Sequence, residues 1–256
     1  MIIVKVPGLN SMGKTNGCRN AGNAIIAELD RKIENLEEIH VDNINLEEQN
    51  KLIYKNSKEM FESQDRVIFL GGDHSISFGI GKSFLDYCKE NWKEPCLIVF
   101  DAHADCCKPG KEPTHEEWLR ALVENGFPKH NILLVGIRKI FQEEQEFLNK
   151  FKIKRININD LINNLEDMTH TIMEFSQDKE LYVSLDIDVV DPVFAPATGY
   201  KEVGGLTSRQ ILCIISKLKL MKNLKALDIV EVDVEKDKKY EKITTKLASK
   251  ILSEFF

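Results

Sequence analysis

The sequence of 256 residues has few of the features that mark secreted, membrane-bound or nucleic-acid-binding proteins. Its six cysteines show no C-x-x-C spacing, and free thiols fit this pattern better than a disulfide framework. No apolar run approaches the roughly 18 residues that a bilayer-spanning helix needs, and the first residues do not resemble a signal peptide. The net charge of −6 argues against electrostatic binding to nucleic acid. We therefore expect a cytoplasmic protein with no membrane or nucleic-acid partner.

The chain also lacks internal repeats and Pro/Gly/Ser-rich linkers, which favours one domain over residues 1–256. Short β-branched apolar runs alternate with amphipathic stretches, the pattern of βαβ units in a mainly parallel sheet covered on both faces. The sequence thus predicts a three-layer αβα fold with about eight strands. Strand candidates are Ile2–Val6, Arg66–Leu70, Cys96–Phe100, Asn131–Val135, Lys154–Ile158, Leu181–Leu185, Lys225–Val230 and a shorter run at Glu38–Val41. Helix candidates lie near 20–33, 46–63, 76–90, 115–125, 140–151, 159–176, 207–219 and 239–254.

Three polar motifs directly follow apolar strand candidates, where parallel sheets bind their ligands. The first is GGDHS (71–75), whose glycines allow a tight turn before a histidine. The second, DAHAD (101–105), places alternate residues on one face of an extended segment. The third is SLDIDVVDP (184–192), in which Asp191 fits a turn residue equally well. Together the motifs offer two imidazoles and four carboxylates as metal ligands: His74, Asp101, His103, Asp105, Asp186 and Asp188.

This ligand set predicts a binuclear manganese site. Buried carboxylates without partners are costly, and a cation would neutralise them. Four carboxylates balance two divalent ions, and a mixture of nitrogen and oxygen ligands suits Mn²⁺ better than a structural zinc site. Two metals roughly 3.5–4 Å apart can share and deprotonate one water. The residues themselves therefore indicate a two-metal hydrolase.

In this order the motifs resemble those of the arginase/agmatinase (ureohydrolase) family. The similarity continues through PVFAPATG (192–199) and GGLT (204–207) to DIVEV (228–232), and it covers about two-thirds of the chain. The first third matches loosely, through Gly17-Cys18. The resemblance implies an arginase-like fold, two Mn²⁺ per chain, and hydrolysis of a guanidino compound to urea and an amine. Family members are commonly trimers or hexamers, so it also implies a homo-oligomer.

The resemblance also implies a role for each site residue. One metal would be held by His74, Asp101, Asp105 and Asp186, and the other by Asp101, His103, Asp186 and Asp188. Asp105 would also accept a hydrogen bond from the attacking hydroxide. Glu231 matches the glutamate that binds the guanidinium group, although a strand-end surface carboxylate is the plainer alternative. His115 matches a histidine that delivers a proton to the leaving amine.

Several positions depart from the family pattern. Glu116 and Ala197 replace glycines, and Asp233-Val234 replaces Asn-Pro. The segment 114–117 also fits a capping box that opens a helix, with Thr114 as its N-cap. These departures keep open a degenerate paralogue that binds or regulates without catalysis. A metallophosphatase would share the D-x-H pattern, but its downstream GNH[DE] segment is absent. A zinc deacetylase of related fold would not need all six ligands.

The loop after DAHAD favours an agmatinase-like substrate over arginine. It is short, and Cys107 stands where arginases typically carry an asparagine that helps to hold the amino-acid head group. A thiol substitutes poorly for that amide. Lys108 and Lys111 could instead attract a carboxylate, as in a guanidino acid, whereas three glutamates could attract the ammonium of agmatine: Glu112, Glu116 and Glu117. Arginase and guanidino-acid hydrolase activity therefore stay as alternatives.

Overall fold

The computed structural model describes residues 1–11 and 13–256 and is built around a single eight-stranded sheet. Its strands are β1 (Ile2–Val6), β2 (Leu36–Glu38), β3 (Val67–Gly71), β4 (Pro95–Phe100), β5 (Ile132–Ile137), β6 (Lys154–Asn157), β7 (Glu180–Asp186) and β8 (Leu224–Val230). They lie in the order β2-β1-β3-β8-β7-β4-β5-β6. Every neighbouring pair is parallel, so the predicted parallel sheet is confirmed.

Helices cover both faces of this sheet. They are α1 (Ala21–Ala27), α2 (Leu46–Ser63), α3 (Ile76–Glu90), α4 (Trp118–Glu124), α5 (Gln142–Phe151), α6 (Ile158–Asn163), α7 (Leu165–Phe175), α8 (Ser208–Leu218), α9 (Val234–Asp237) and α10 (Ile243–Ser253). Residues of α1, α6, α7, α8 and α10 share one buried apolar cluster, and residues of α2 to α5 share a second.

The strands supply both clusters by alternation. Ile68 of β3 belongs to the first cluster and its neighbour Phe69 to the second, and Ile98 and Val99 of β4 divide in the same way. Successive side chains of a strand point to opposite faces, so a continuous apolar run fills two cores at once. The result is the predicted three-layer αβα arrangement.

Some predicted boundaries were wrong. The strand expected at Glu38–Val41 lies earlier, at Leu36–Glu38, because an edge strand takes its register from β1, whose Ile3 pairs with Leu36. The helix expected over 159–176 is two helices that meet at Asn164, whose φ of −138° is not helical. The last helix begins at Ile243 rather than at 239, after a left-handed Lys242.

Two expectations about what the chain lacks can be compared with this fold. All six cysteines are free, as predicted. Over residues 1–11 and 13–256, every helix is too short or too polar to cross a bilayer.

The strands that precede the three polar motifs and Glu231 are neighbours in the sheet. They are β3, β8, β7 and β4, and they occupy the middle of the sheet. Because parallel strands end at the same edge, the residues that follow them meet there although they are far apart in sequence.

Candidate metal centre and substrate cavity

His74 reaches the sheet edge through a turn that only glycine permits. A Cβ atom on Gly72 would lie 1.8 Å from the carbonyl oxygen of Gly8, on the loop after β1. Gly72 also donates its N–H to the Val6 carbonyl at 2.8 Å, which ties the turn to the neighbouring strand. Glycine is therefore required here because the two backbone segments lie too close together for a side chain.

The His74 ring lies among three aspartates. Its Nδ1 atom is 3.1 Å from Asp101 Oδ2, 3.0 Å from Asp105 Oδ2 and 3.3 Å from Asp186 Oδ2. All four side chains are buried, yet among the described residues neither His74 Nδ1 nor Asp101 Oδ2 has a hydrogen-bond partner. Burying such atoms unpaired is costly, so their convergence marks a place for a cation.

A chain of hydrogen bonds behind the ring favours one tautomer of the neutral imidazole. His74 Nε2 lies 2.9 Å from the Ser184 hydroxyl, which donates to Asp228 Oδ1 at 2.8 Å. Because the Ser184 hydroxyl proton is directed to Asp228, the neutral imidazole would carry its proton on Nε2 and donate a hydrogen bond to the Ser184 oxygen. In this tautomer the lone pair of Nδ1 faces the aspartates, as it must if Nδ1 is to bind a metal.

Asp228 is the residue on which these hydrogen bonds converge. Neither Asp228 nor Ser184 was predicted from the sequence as a functional residue. The Asp228 carboxylate also accepts hydrogen bonds from the hydroxyls of Ser77 and Tyr182 and from the Leu185 N–H. A usable signal was present, because Ser184 and Asp228 are polar residues within otherwise apolar strands, and a buried polar group requires partners.

A second group forms around His103. Its Nδ1 atom lies 2.8 Å from Asp188 Oδ2 and 3.4 Å from Asp101 Oδ1. The other oxygen of Asp188 accepts the Ala102 N–H at 3.0 Å, which aims Oδ2 at the imidazole. Asp101 belongs to both groups, one carboxylate oxygen toward each histidine.

The electrostatics of the two groups also favour cations. Burial disfavours a charged His74, but the aspartates around it outweigh burial and raise its pKa well above the usual range. Burial, with Asp188 and Asp101 nearby, raises the pKa of Asp186 well above normal. Burial opposes ionisation of Asp188 too, yet His103 outweighs it and lowers the Asp188 pKa. The imidazole and carboxylate donors fit divalent ions that accept nitrogen and oxygen ligands.

Glu231 is buried beside His74, so the surface-carboxylate alternative is wrong. Only 4% of the residue is exposed, and its backbone has a left-handed φ of 64°. One carboxylate oxygen accepts the His74 N–H at 2.9 Å, and the other lies 4.0 Å from Cys18 Sγ. Burial, with Asp73 nearby, raises the pKa of Glu231 well above its usual range. A cation bound beside this carboxylate would favour its ionised form.

A cavity of about 210 Å³ opens onto these residues. Its lining comprises His74, His103, Asp105, Cys107, His115, Glu116, Lys139, Phe141, Glu144, Asp186, Asp188, Tyr200, Glu202 and Glu231. Five lining residues were not predicted from the sequence: Lys139, Phe141, Glu144, Tyr200 and Glu202. No motif marks these five, because they come from three loops or helix starts that only the fold brings together.

His115 is buried in the cavity wall, and within residues 1–11 and 13–256 neither of its ring nitrogens has a hydrogen-bond partner. Its ring stacks on Tyr200, with centroids 5.6 Å apart. The capping-box interpretation was wrong about the helix, which begins at Trp118. Thr114 donates its N–H to Glu117 at 2.8 Å, and this contact closes a turn that presents His115. Trp118 then donates its indole N–H to Asp105 Oδ2 at 2.8 Å.

The other charged residues of this loop do not line the cavity. Lys111 pairs with Glu47 at 2.7 Å, and Glu112 accepts a hydrogen bond from Asn50 at 2.6 Å. Lys108 lies in a different groove with Arg120. Of the five charged loop residues that could select a substrate, only Glu116 faces the site.

Two other departures from the family pattern lie outside the cavity lining. Ala197 donates its N–H to the Thr244 hydroxyl and accepts the N–H of Asp233 through its carbonyl oxygen, both at 3.0 Å. The Asp233 carboxylate caps α9. Asp191 serves as a turn residue, since its carboxylate accepts the N–H groups of Val193, Gly204 and Gly205.

Known proteins resemble this chain in both sequence and fold. The arginase family profile matches residues 8–256. Mitochondrial arginase 1 of Arabidopsis thaliana is 30% identical over 76% of this chain and 55% of its own length. An agmatinase of Escherichia coli is 27% identical over 72% of this chain and 58% of its own. The chain therefore spans little more than half the length of these relatives.

Solved structures show the same fold. Formimidoylglutamase from Bacillus subtilis superposes with a TM-score of 0.89 at 21% identity, over 99% of this chain and 85% of that one. Arginase from Entamoeba histolytica, in complex with L-ornithine, gives 0.85 at 23% identity, over 100% and 97% of the two chains. Together with the profile match over nearly all residues, this shows that the chain belongs to the arginase family.

Proposed function

We propose that the protein is a binuclear, manganese-dependent ureohydrolase that cleaves a guanidino compound into urea and an amine. The observation that carries this proposal is the pair of imidazole–carboxylate groups that share Asp101 at the edge of the cavity. A metallophosphatase or a deacetylase would not explain the buried Glu231 beside them, whereas a guanidinium ion needs such a carboxylate.

The six predicted ligands would together hold two Mn²⁺ ions: His74, Asp101, His103, Asp105, Asp186 and Asp188. When bound, such a pair supplies Lewis-acid stabilisation of developing negative charge and lowers the pKa of a water molecule. Asp105, which also accepts the Trp118 indole N–H, lies at the cavity edge, where it can accept a hydrogen bond from the attacking group.

Glu231 binds the guanidinium in this proposal. The planar cation presents paired N–H groups to a carboxylate, and its charge offsets the cost of ionising Glu231 in a buried position. The Glu231 oxygen that accepts the His74 N–H is held in place by the backbone, so the carboxylate is oriented before a substrate arrives. His115, with both ring nitrogens unpaired at the cavity wall, carries the proton to the leaving amine.

For the substrate we favour an agmatine-like guanidine with a cationic end. Apart from the proposed ligands and Glu231, the charged residues of the lining are Glu116, Glu144, Glu202 and Lys139. Glu144 is committed to the backbone N–H groups of Cys106 and Phe141. The carboxylates of Glu116 and Glu202 then outnumber the single ammonium of Lys139. The cavity walls therefore attract a cationic substrate end more strongly than an anionic one. Lys139 is the feature that favours the alternative, a guanidino acid.

A urea-release assay tests this function. The full chain, loaded with Mn²⁺, would be supplied with agmatine, arginine and 4-guanidinobutyrate at matched concentrations. We expect urea from agmatine with the highest kcat/KM. Arginine or guanidinobutyrate as the best substrate would change the substrate but keep the enzyme class. No urea from any guanidine, with two Mn²⁺ bound per chain, would favour the non-catalytic paralogue. The trimeric or hexameric state and the cytoplasmic location stay predictions.

A further inference from the structure

One wall of the cavity contains a carboxylate that the catalytic proposal does not use. Glu116 follows His115 in the loop between β4 and α4 and lines the cavity with about a third of its side chain exposed. Its Oε1 atom accepts the Tyr200 O–H at 3.0 Å and lies 3.8 Å from His115 Nε2. Among the described residues, no donor contacts Oε2, which leaves one oxygen free for a ligand.

Among the described residues, Glu116 also makes no direct ion pair with a lysine or arginine. Over residues 1–11 and 13–256, no lysine or arginine nitrogen lies within 4.0 Å of its carboxylate. Lys14 bonds to the Tyr200 hydroxyl at 2.6 Å, so the phenol oxygen lies between this ammonium and the Glu116 carboxylate. This contrasts with Glu47, which is paired with Lys111.

Tyr200 holds this carboxylate in position. Its hydroxyl donates to Glu116 and accepts from Lys14, while its ring stacks on His115 and meets the His103 ring edge-on at 6.0 Å. The Tyr200 carbonyl accepts the Thr198 hydroxyl, which fixes the loop beneath the ring. The residue before Tyr200 is Gly199, where a Cβ atom would come within 3.0 Å of Glu231 Oε2. The wall is therefore built against the proposed guanidinium-binding carboxylate.

We propose that Glu116, positioned by Tyr200, is a specificity-determining residue that binds the ammonium end of the substrate. This inference rests on the proposed function, in which Glu231 holds the guanidinium end in the same cavity. The space of about 210 Å³ suits a compact linear molecule with a charge at each end. A partly desolvated carboxylate that is held rigid discriminates between an ammonium and a methyl group by its charge and its hydrogen-bond acceptor.

The test compares agmatine with pentylguanidine, in which a methyl group replaces the ammonium. The measured quantity is the ratio of their kcat/KM values on the Mn²⁺-loaded full chain. We expect a ratio of at least about tenfold for the native sequence. Glu116→Gln keeps an acceptor for the Tyr200 hydroxyl but removes the charge, and it should bring the ratio to within about twofold of unity. Tyr200→Phe keeps the ring and should lower the ratio about threefold.

The matched control is Glu112→Gln, which removes one negative charge from the same loop outside the cavity and should leave the ratio unchanged. An unaltered ratio in Glu116→Gln, or no preference in the native sequence, would overturn the proposal. If no guanidine releases urea, the proposed function fails. Binding of the ammonium end is then tested by calorimetry, as the Kd of agmatine and the Kd of pentylguanidine. The same loss of discrimination in Glu116→Gln is expected there, and equal ratios in the two proteins would refute it.

Discussion

The site has a strand-end half, made of residues at the ends of strands, and a loop half, made of residues on loops. The two halves are held in place by different contacts. His74, Asp101 and Asp186 follow or end strands in the middle of the sheet, and these strands are fixed by backbone hydrogen bonds on both sides. Glu116 and Tyr200 lie on loops that are fixed by a few side-chain contacts. A strand end tolerates little change in register, whereas a loop can change its residues without disturbing the sheet. In the proposed function, the strand-end half binds the metals and the loop half selects the substrate.

The largest effect is expected from Asp186→Ala, which tests the strand-end half. We expect metal content to fall from two Mn²⁺ to fewer than one per chain, and urea release to fall about a thousandfold or more, because the remaining ligands lose a charge shared by both ions. Asp191→Ala is the control, since Asp191 only closes a turn in the same motif. Metal analysis that found two ions in Asp186→Ala would disprove the shared-ligand assignment.

Glu231→Gln separates metal binding from substrate binding within the strand-end half. Gln keeps an acceptor for the His74 N–H but loses the charge that pairs with the guanidinium. We expect kcat/KM to fall about a hundredfold, equivalent to about 2.7 kcal/mol, with two Mn²⁺ retained. Glu235→Gln, an exposed residue paired with Lys238, should behave like the native chain. Unchanged kcat/KM in Glu231→Gln would remove this residue from the site.

Ser184→Ala tests whether the support behind a strand-end ligand matters. It removes the partner of His74 Nε2 without touching the metal-facing atoms. We expect the affinity for Mn²⁺, measured by calorimetric titration, to fall about tenfold because the tautomer and ring orientation are no longer fixed. Ser83→Ala removes a buried hydroxyl that bonds only to the Ile80 carbonyl, and it should bind Mn²⁺ normally. Equal affinities in the two variants would show that the Asp228 network serves folding alone.

The smallest effect concerns the thiols. Cys213 is exposed, whereas burial raises the pKa of both Cys88 and Cys96 to about 12. Burial, with Glu144 nearby, also raises the pKa of Cys107 well above its usual range, although this residue lines the cavity. We expect Ellman's reagent to modify one thiol quickly near neutral pH, with activity retained and with no fast phase in Cys213→Ser. A fast second thiol accompanied by loss of activity would place a reactive cysteine in the loop half.

The same division decides what could be predicted from the sequence. The strand-end residues were identifiable because apolar runs locate strands, and alternation then places Asp101 and Asp105 on one face. The structure brings His74 and three aspartates together, but the segment is not extended as predicted, because it bends at residues 102 and 103 and Asp105 is left-handed with a φ of 49°. The support by Ser184 and Asp228 was detectable in principle, from polar residues in apolar strands.

The loop half could not be predicted in this way, because its side-chain directions depend on partners far along the chain. Lys111 turns outward to Glu47, and Glu112 turns to Asn50. Lys14 meets Tyr200 across 186 residues. No local pattern encodes these pairings, so five charged residues in one loop looked equivalent until the fold separated Glu116 from the others.

The central position of β8 has a consequence for how the chain is made. Strand β8 is the last to be synthesised, yet it lies between β3 and β7. Until residues 224–230 leave the ribosome, these two strands each carry an unpaired edge, and such edges are where nascent chains aggregate. His74 follows a strand in one half of the sheet, and Asp101 and Asp186 belong to the other. The proposed metal ligands on the two halves can therefore be held in one sheet only after this late strand is inserted between β3 and β7.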